Sequence, residues 1–184
     1  MVTYNPAMSD APHISPATAA DTEAIAALLR RCMLKMRADG SDQWSEAYPT
    51  AEVVSGDIAA GTLFALRASP SAPIVAVITC DESVPAEYAA IDFTPGRPLL
   101  VHRLAVDPEQ QGRGYARVLM QFAERRAREL GCTTIRFDTY SRNAAAVGLY
   151  LQLGYAQLPG TIRFPGRADH FYCFEKVLGA RASP

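Results

Sequence analysis

The chain has 184 residues, of which 49% are hydrophobic and 20% charged, and its net charge is −1. This length and composition favour a single soluble globular domain with a core of its own. The near-zero net charge argues against a nucleic-acid-binding groove, which needs an excess of Lys and Arg.

The cysteine spacing and the composition of the N-terminus argue against further classes of protein. The four cysteines are widely separated and form no Cys-x-x-Cys pair, so the sequence offers no zinc or redox motif and we predict no bound metal. The N-terminus lacks the basic start and apolar run of a signal peptide. No stretch is long and apolar enough to cross a bilayer. We therefore expect a cytoplasmic protein without a membrane partner.

The first half of the chain mixes helical and β-type patterns. Residues 1–12 predict a flexible lead-in to a single domain over residues 13–178. The elements predicted next are a short strand at His13–Pro16, an amphipathic helix at Ala20–Arg37, a short helix at Thr50–Ala60, hairpin strands at Thr62–Ala68 and Pro73–Cys80, and a short strand at Glu87–Phe93.

In the second half, strands alternate with helices. The predicted elements are a strand at Leu99–Val106, a helix at Arg117–Leu130, a strand at Thr133–Thr139, a helix from Asn143 or Ala144 to Leu153, and strands at Tyr155–Leu158 and Phe171–Val177, before a frayed tail at 179–184. This order predicts an α/β fold with a mixed sheet.

A glycine-bearing loop joins the Leu99–Val106 strand to the following helix. Gly112 and Gly114 lack a Cβ, so an anion can approach the backbone closely, and the helix start adds unpaired N–H groups. Arg113 adds a positive charge. The loop lacks the Lys-Ser/Thr of a Walker A motif and the third glycine of a Rossmann fingerprint, which weakens a nucleotide kinase or a dinucleotide enzyme as alternatives. A plain strand-to-helix turn would use the same glycines.

A second motif makes the pattern specific. Gln111, Gly114 and Ala116 are spaced as in the pyrophosphate loop of the GNAT acetyltransferase superfamily, and the run from Ser141 to Tyr155 resembles the second signature of that superfamily. This run has an Asn that opens a helix, then Leu-Tyr, then Leu-Gly and an aromatic residue. The Trp-x-x-x-Tyr-Pro segment at 44–49 also resembles a bacterial subset whose substrates are often unassigned.

The resemblance implies a fold and a ligand. The fold would be a mixed, mostly antiparallel central sheet that splays into a V and is flanked by about four helices. Acetyl-CoA would lie in the V as co-substrate. The positions that match the cofactor-binding residues of the superfamily are Leu104, Val106, Gln111, Gly112, Arg113, Gly114, Tyr115, Ala116 and Asn143.

The resemblance also implies direct attack of an amine on the thioester. Because a primary amine with a pKa near 10.4 is almost fully protonated at pH 7, a base or a water chain leading to one must remove its proton. Tyr150, at the Leu-Tyr position, is the predicted proton donor to the departing thiolate. His102 is the predicted base, because period-two alternation places it on the same face of the strand as Leu104 and a His is suited to proton transfer near neutrality. Asp138, Asp92 and Glu46 are alternative bases.

The identity of the acceptor amine is what the sequence determines least. Trp44, Glu46, Tyr48 and Asp92 could form an acidic, aromatic-lined pocket for a cationic amine. The expected function is acetyl-CoA-dependent N-acetylation of a small-molecule amine or a peptide. The alternative is a non-catalytic acyl-CoA-binding module with the same fold. An exposed late strand could pair two copies into a homodimer.

Overall fold

A computed structural model of the chain describes residues 12–179, which build one seven-stranded sheet and four α-helices. The strands are β1 (His13–Pro16), β2 (Leu63–Arg67), β3 (Ile74–Asp81), β4 (Pro98–Val106), β5 (Thr134–Tyr140), β6 (Ala156–Gln157) and β7 (Phe171–Val177). The helices are α1 (Thr22–Ala38), α2 (Ala51–Ala59), α3 (Tyr115–Glu129) and α4 (Ala144–Gln152). The predicted lead-in and tail lie outside the described residues, apart from Pro12 and Gly179.

The strands run in the order β1-β2-β3-β4-β5-β7-β6. Every neighbouring pair is antiparallel except β4 and β5, which are parallel. The predicted mixed, mostly antiparallel sheet flanked by about four helices is therefore confirmed. No helix in the described range is both long and apolar enough to span a membrane.

Local signals account for the starts of three of these four helices. The Thr50 hydroxyl accepts a hydrogen bond from the Val53 N–H at 3.4 Å, and Asn143 Oδ1 accepts one from the Ala146 N–H at 3.1 Å. Both are N-caps, which satisfy backbone donors that the first helical turn leaves free. Gly114 starts α3 with a φ of 83°, a left-handed conformation that glycine adopts without a Cβ clash.

The strand predicted at Glu87–Phe93 is wrong. Residues Ala86–Ala90 form a 3-10 turn, closed by a hydrogen bond from the Tyr88 N–H to the Pro85 carbonyl. Tyr88 is buried, stacks on Phe93, and donates its hydroxyl to Asp138 at 2.9 Å. A partner fifty residues away in sequence, rather than a strand ladder, therefore fixes the conformation of this segment.

The sheet opens between β4 and β5. The two strands pair only over three positions, from Pro98 with Thr134 to Leu100 with Arg136. Beyond Leu100, β4 stays paired with β3 and β5 stays paired with β7. The two halves of the sheet thus diverge into the V that was predicted.

The core lies on both faces of this opened sheet. One cluster packs α3 and α4 against the sheet and includes Leu99, Val101, Leu119 and Phe137. A second cluster packs α1 and α2 against the opposite face of β2, β3 and β4. All four cysteines are buried free thiols, and burial raises the pKa of Cys32 to about 12. They therefore behave as small apolar residues, as expected.

Candidate active site

A cavity of about 820 Å³ fills the V. Its walls come from the diverging parts of β4 and β5, from α4, and from the glycine loop at the start of α3. On the other side of the sheet it extends to α1 and to the loops at 39–48 and 164–167. This single space therefore joins the loop that carries the first motif to the helix that carries the second.

The glycine loop presents a row of free backbone donors. In the described part of the chain, no backbone N–H from Gln111 to Arg117 has a hydrogen-bond acceptor. Gly112 and Gly114 have φ values of 80° and 83°, and a Cβ placed on either would have open space around it. Such a turn at a helix start can bind an anion, because unpaired N–H groups and the positive end of the helix dipole both favour negative charge there.

Side chains on both flanks hold this loop in shape. Gln111 Nε2 donates to the Val106 carbonyl at 3.2 Å, which ties the loop back to the end of β4. Asp107 accepts the Glu109 N–H at 3.1 Å and forms an ion pair with Arg31 of α1. Asp107 therefore shapes the turn that precedes the glycine loop. Arg113 is exposed and has no ion-pair partner within residues 12–179.

Tyr150 lies on α4 with its ring in the core and lines the cavity. The ring packs on Phe137 with centroids 4.3 Å apart, and also contacts Tyr155 and Phe174. Its hydroxyl donates to no acceptor among the described residues. Burial, and then the negative charge of Asp138, raise the pKa of Tyr150 above its ordinary value. The group is therefore a protonated, uncommitted donor beside the cavity.

Asn143, which opens the second motif, and two residues of β4 also line the cavity. Asn143 caps α4 through its side-chain oxygen and donates from Nδ2 to Gln43 Oε1 at 3.1 Å. Leu104 and Val106 line the cavity from β4. The structure therefore brings to one space the matched positions Leu104, Val106, Gln111, Gly112, Ala116, Asn143 and Tyr150.

Comparison with known proteins decides the family. The family model described as Acetyltransferase (GNAT) family matches residues 33–155. The chain belongs to the GNAT acetyltransferase family. It is 27% identical over 182 residues to the uncharacterized N-acetyltransferase YesJ of Bacillus subtilis, with 96% of each chain covered. The protein is thus an acyltransferase, as predicted.

Solved structures agree on the GNAT fold. A GNAT-family acetyltransferase from Streptococcus agalactiae superposes with a TM-score of 0.79 at 21% identity, covering 92% of this chain and 96% of that one. The protein yncA of Salmonella typhimurium, solved with its cofactor acetyl-CoA, superposes with a TM-score of 0.68 at 17% identity, covering 95% and 98%.

A bulge in β4 changes the geometry expected for His102 in this GNAT protein. The register between β3 and β4 slips so that Arg103 and Leu104 have no partner residue on β3, and Arg103 has a φ of 47°. Leu104 consequently packs against the core cluster that contains Leu99 and Val101, whereas His102 faces the opposite side of the sheet. The expectation that His102 and Leu104 share a face is therefore wrong, because a bulge shifts the alternation by one residue.

His102 nevertheless lines the cavity, together with Asp138. His102 Nε2 lies 3.4 Å from Asp81 Oδ1. Burial by itself would raise the pKa of Asp81, but the hydrogen bond and charge of His102, together with the Ser83 N–H and the charge of Arg103, outweigh it and the pKa is lowered. Asp138 behaves in the opposite way: burial raises its pKa, against the lowering effects of the Tyr88 hydroxyl and of His102. His102 and Asp138 are thus the proton-accepting candidates that reach the cavity.

The predicted acceptor pocket is only half assembled. Trp44 and Tyr48 line the cavity, but Glu46 and Asp92 do not. Glu46 is exposed and borders a separate, smaller depression next to α2, and Asp92 is exposed after the 3-10 turn. The acidic pair is therefore not part of this pocket, because each of these side chains points to solvent from its own loop. Both also drop out as alternative bases in the cavity.

Two features of the cavity wall around Tyr48, which we call the acceptor side, were not anticipated from the sequence. Arg103 donates to Asp57 of α2 at 2.7 Å and to the Tyr48 hydroxyl at 2.9 Å. Asp57 also accepts the Thr79 hydroxyl at 3.0 Å, so α2, β3 and the bulge are held together by one network. Arg167, from the loop before β7, is the second such feature. Neither residue belongs to a motif, and only the fold brings them to the cavity.

Proposed function

We propose that this protein transfers an acetyl group from acetyl-CoA directly to a primary amine of a small molecule or peptide, through a single acyltransferase domain over residues 13–178. The observation that carries the proposal is the row of unbonded N–H groups from Gln111 to Arg117 at the edge of the cavity in the V. Acetyl-CoA, bound by the yncA structure, has an anionic pyrophosphate that such a row would hold.

The residues present fit that co-substrate. The unbonded donors and exposed Arg113 would take the pyrophosphate, with Tyr115 and Ala116 contributing from the first turn of α3. Leu104, Val106 and Asn143 would hold the arm that leads into the V. Acetyl-CoA would supply the acetyl group as a thioester.

The chain's own groups would manage charge and protons. Arg103 and Leu104 have no register partner on β3, so a backbone N–H of the bulge would be the group to stabilise charge developing on a carbonyl oxygen. Tyr150 would donate its proton to the departing sulfur, since its hydroxyl is uncommitted and stays protonated. His102, directly or through water, would take the proton of the amine, with Asp81 orienting the ring.

The decisive experiment measures acetyl-CoA binding by calorimetry and thiol release with a panel of amines. Binding together with amine-dependent thiol release supports the proposal. Binding without thiol release for any amine would favour the acyl-CoA-binding module, and absence of binding would show that the glycine loop is only a turn.

Two glycines at opposite ends of α3 provide a matched control for the binding site. Gly114 starts the helix with a φ of 83°, and Gly131 follows its end with a φ of 73°. Replacing either by Ala adds strain of about 1 kcal/mol. We expect G114A to raise the Kd of acetyl-CoA at least several-fold and G131A to leave it unchanged. Equal effects on Kd would mean that the anion site is not at this loop.

A further inference from the structure

The charges on the acceptor side of the cavity are almost all internally balanced. Its cationic or ionisable basic side chains are Lys35, His102, Arg103 and Arg167. Lys35 Nζ lies 2.6 Å from Asp39 Oδ1, and the Arg103 guanidinium lies 2.6 Å from Asp57. His102 faces Asp81. Within the described part of the chain, only Arg167 among these four lacks a carboxylate within ion-pair distance.

Arg167 is half-buried, and the side chains it contacts are neutral. Its Nη1 lies 3.5 Å from Ser45 Oγ, and its guanidinium lies 6.0 Å from the centre of the Tyr48 ring. Asp42, the carboxylate that contacts the same loop, already accepts the Ala168 N–H and the Tyr140 hydroxyl. A guanidinium in such a place presents a planar set of donors to the cavity that can bind a carboxylate with two hydrogen bonds.

The rest of the pocket does not supply a compensating anion. Glu46 and Asp92 lie outside it, Asp39 is paired with Lys35, and Asp138 accepts the Tyr88 hydroxyl and forms no ion pair with Arg167. The acceptor side is therefore positive at Arg167, which is unfavourable for an acceptor whose only charge is positive and favourable for one that carries an anion.

We propose that the acceptor of this acetyltransferase is an amine that also bears a carboxylate, such as an amino acid or a short peptide, and that Arg167 binds the carboxylate. The buried Trp44 and the half-buried Tyr48 and Phe164 line the same cavity and suit an apolar or aromatic acceptor body. This inference rests on the proposed function, which leaves the acceptor class open.

The test compares acceptors that differ only in the carboxylate. Dipeptides with a free C-terminus are paired with their C-terminal amides, since the peptide bond keeps the reacting amine the same in both. We expect kcat/KM to be at least about tenfold higher for the free acid, the size of effect that a charge-assisted hydrogen bond provides. In R167Q this ratio should fall close to one.

Arg163 provides the control. It lies on the same loop, is exposed, and does not line the cavity, so R163Q should retain the wild-type ratio. Turnover with no preference for the free acid, or a ratio that R167Q leaves unchanged, would overturn the inference while the proposed function stands.

Failure of the proposed function is distinguishable from failure of this inference. If no acceptor is turned over, the same dipeptide pairs are titrated into the CoA-loaded protein by calorimetry. Tighter binding of the free acids that is lost in R167Q supports the carboxylate site without turnover. Equal or undetectable binding of acid and amide overturns it.

Discussion

The substitution Tyr150→Phe distinguishes a catalytic role of the Tyr150 hydroxyl from a packing role of its ring. The substitution keeps the ring that contacts Phe137 at 4.3 Å and removes a hydroxyl that has no acceptor among the described residues. Since no protein hydrogen bond is lost, the free energy of unfolding should change by less than about 0.5 kcal/mol. If the hydroxyl protonates the departing sulfur, kcat should fall about 10²-fold or more, the usual range for one general acid. That loss corresponds to about 2.7 kcal/mol of transition-state stabilisation.

The assay has three readouts: kcat at saturating acetyl-CoA, the Kd of acetyl-CoA, and the thermal midpoint. We expect only kcat to change. Because burial and Asp138 raise the pKa of Tyr150, the wild-type hydroxyl stays protonated from neutral to alkaline pH, so the loss should persist throughout that range.

Tyr155→Phe is the matched control, since Tyr155 belongs to the same aromatic cluster but donates its hydroxyl to Glu124 at 3.2 Å. It should lose about 1 kcal/mol of stability and no kcat. A Y150F kcat within twofold of wild type at every pH would refute the donor role and leave Tyr150 as a packing residue.

Three further substitutions test the groups around the bulge. H102Q should lower kcat and remove the acid limb of the pH–rate profile; an intact profile would mean that the base lies elsewhere. D138N should raise the thermal midpoint at pH 7. Burial raises the folded-state pKa of Asp138 above its unfolded value of 3.8. The stability that the protonated carboxyl group contributes is therefore fully present below 3.8 and is lost as pH rises through the folded-state pKa. The difference in midpoint from wild type should therefore grow with pH over that window, and a constant difference would contradict it. D57N should lower the free energy of unfolding by about 2 kcal/mol, because it leaves Arg103 without a counter-charge. The double variant D57N/R103Q should recover part of that loss. A wild-type melting curve for D57N would show that the ion pair contributes nothing to stability.

Features encoded within a few residues were predictable from the sequence. Gly114 and Asn143 each start a helix by a local rule, one through a positive φ and the other through a side-chain cap. Both motifs are built around such starts, so the order of strand, loop and helix could be read directly. The family model then matches residues 33–155, the span that contains both motifs.

The bulge at Arg103 could not be predicted, and it explains why the face of His102 was wrong. A positive φ usually marks glycine, but here an arginine has a φ of 47°. The hydrogen bonds that accompany this conformation run to Asp57 and Tyr48, which lie 46 and 55 residues away in sequence. Period-two alternation is a local rule, and a long-range network of this kind overrides it.

The acceptor side of the cavity depends on long-range contacts in the same way as the β4 bulge. A residue's charge is visible in the sequence, but whether that charge is free depends on which partner the fold brings to it. Arg103 and Arg167 are indistinguishable as sequence letters, yet Arg103 is neutralised by Asp57, whereas Arg167 has no carboxylate within ion-pair distance among residues 12–179. Glu46, by contrast, lies two residues from Trp44 and still falls outside the cavity. If Arg167 binds the acceptor as we propose, acceptor specificity depends on which charges remain unpaired after folding, and that is a property of long-range contacts rather than of any motif.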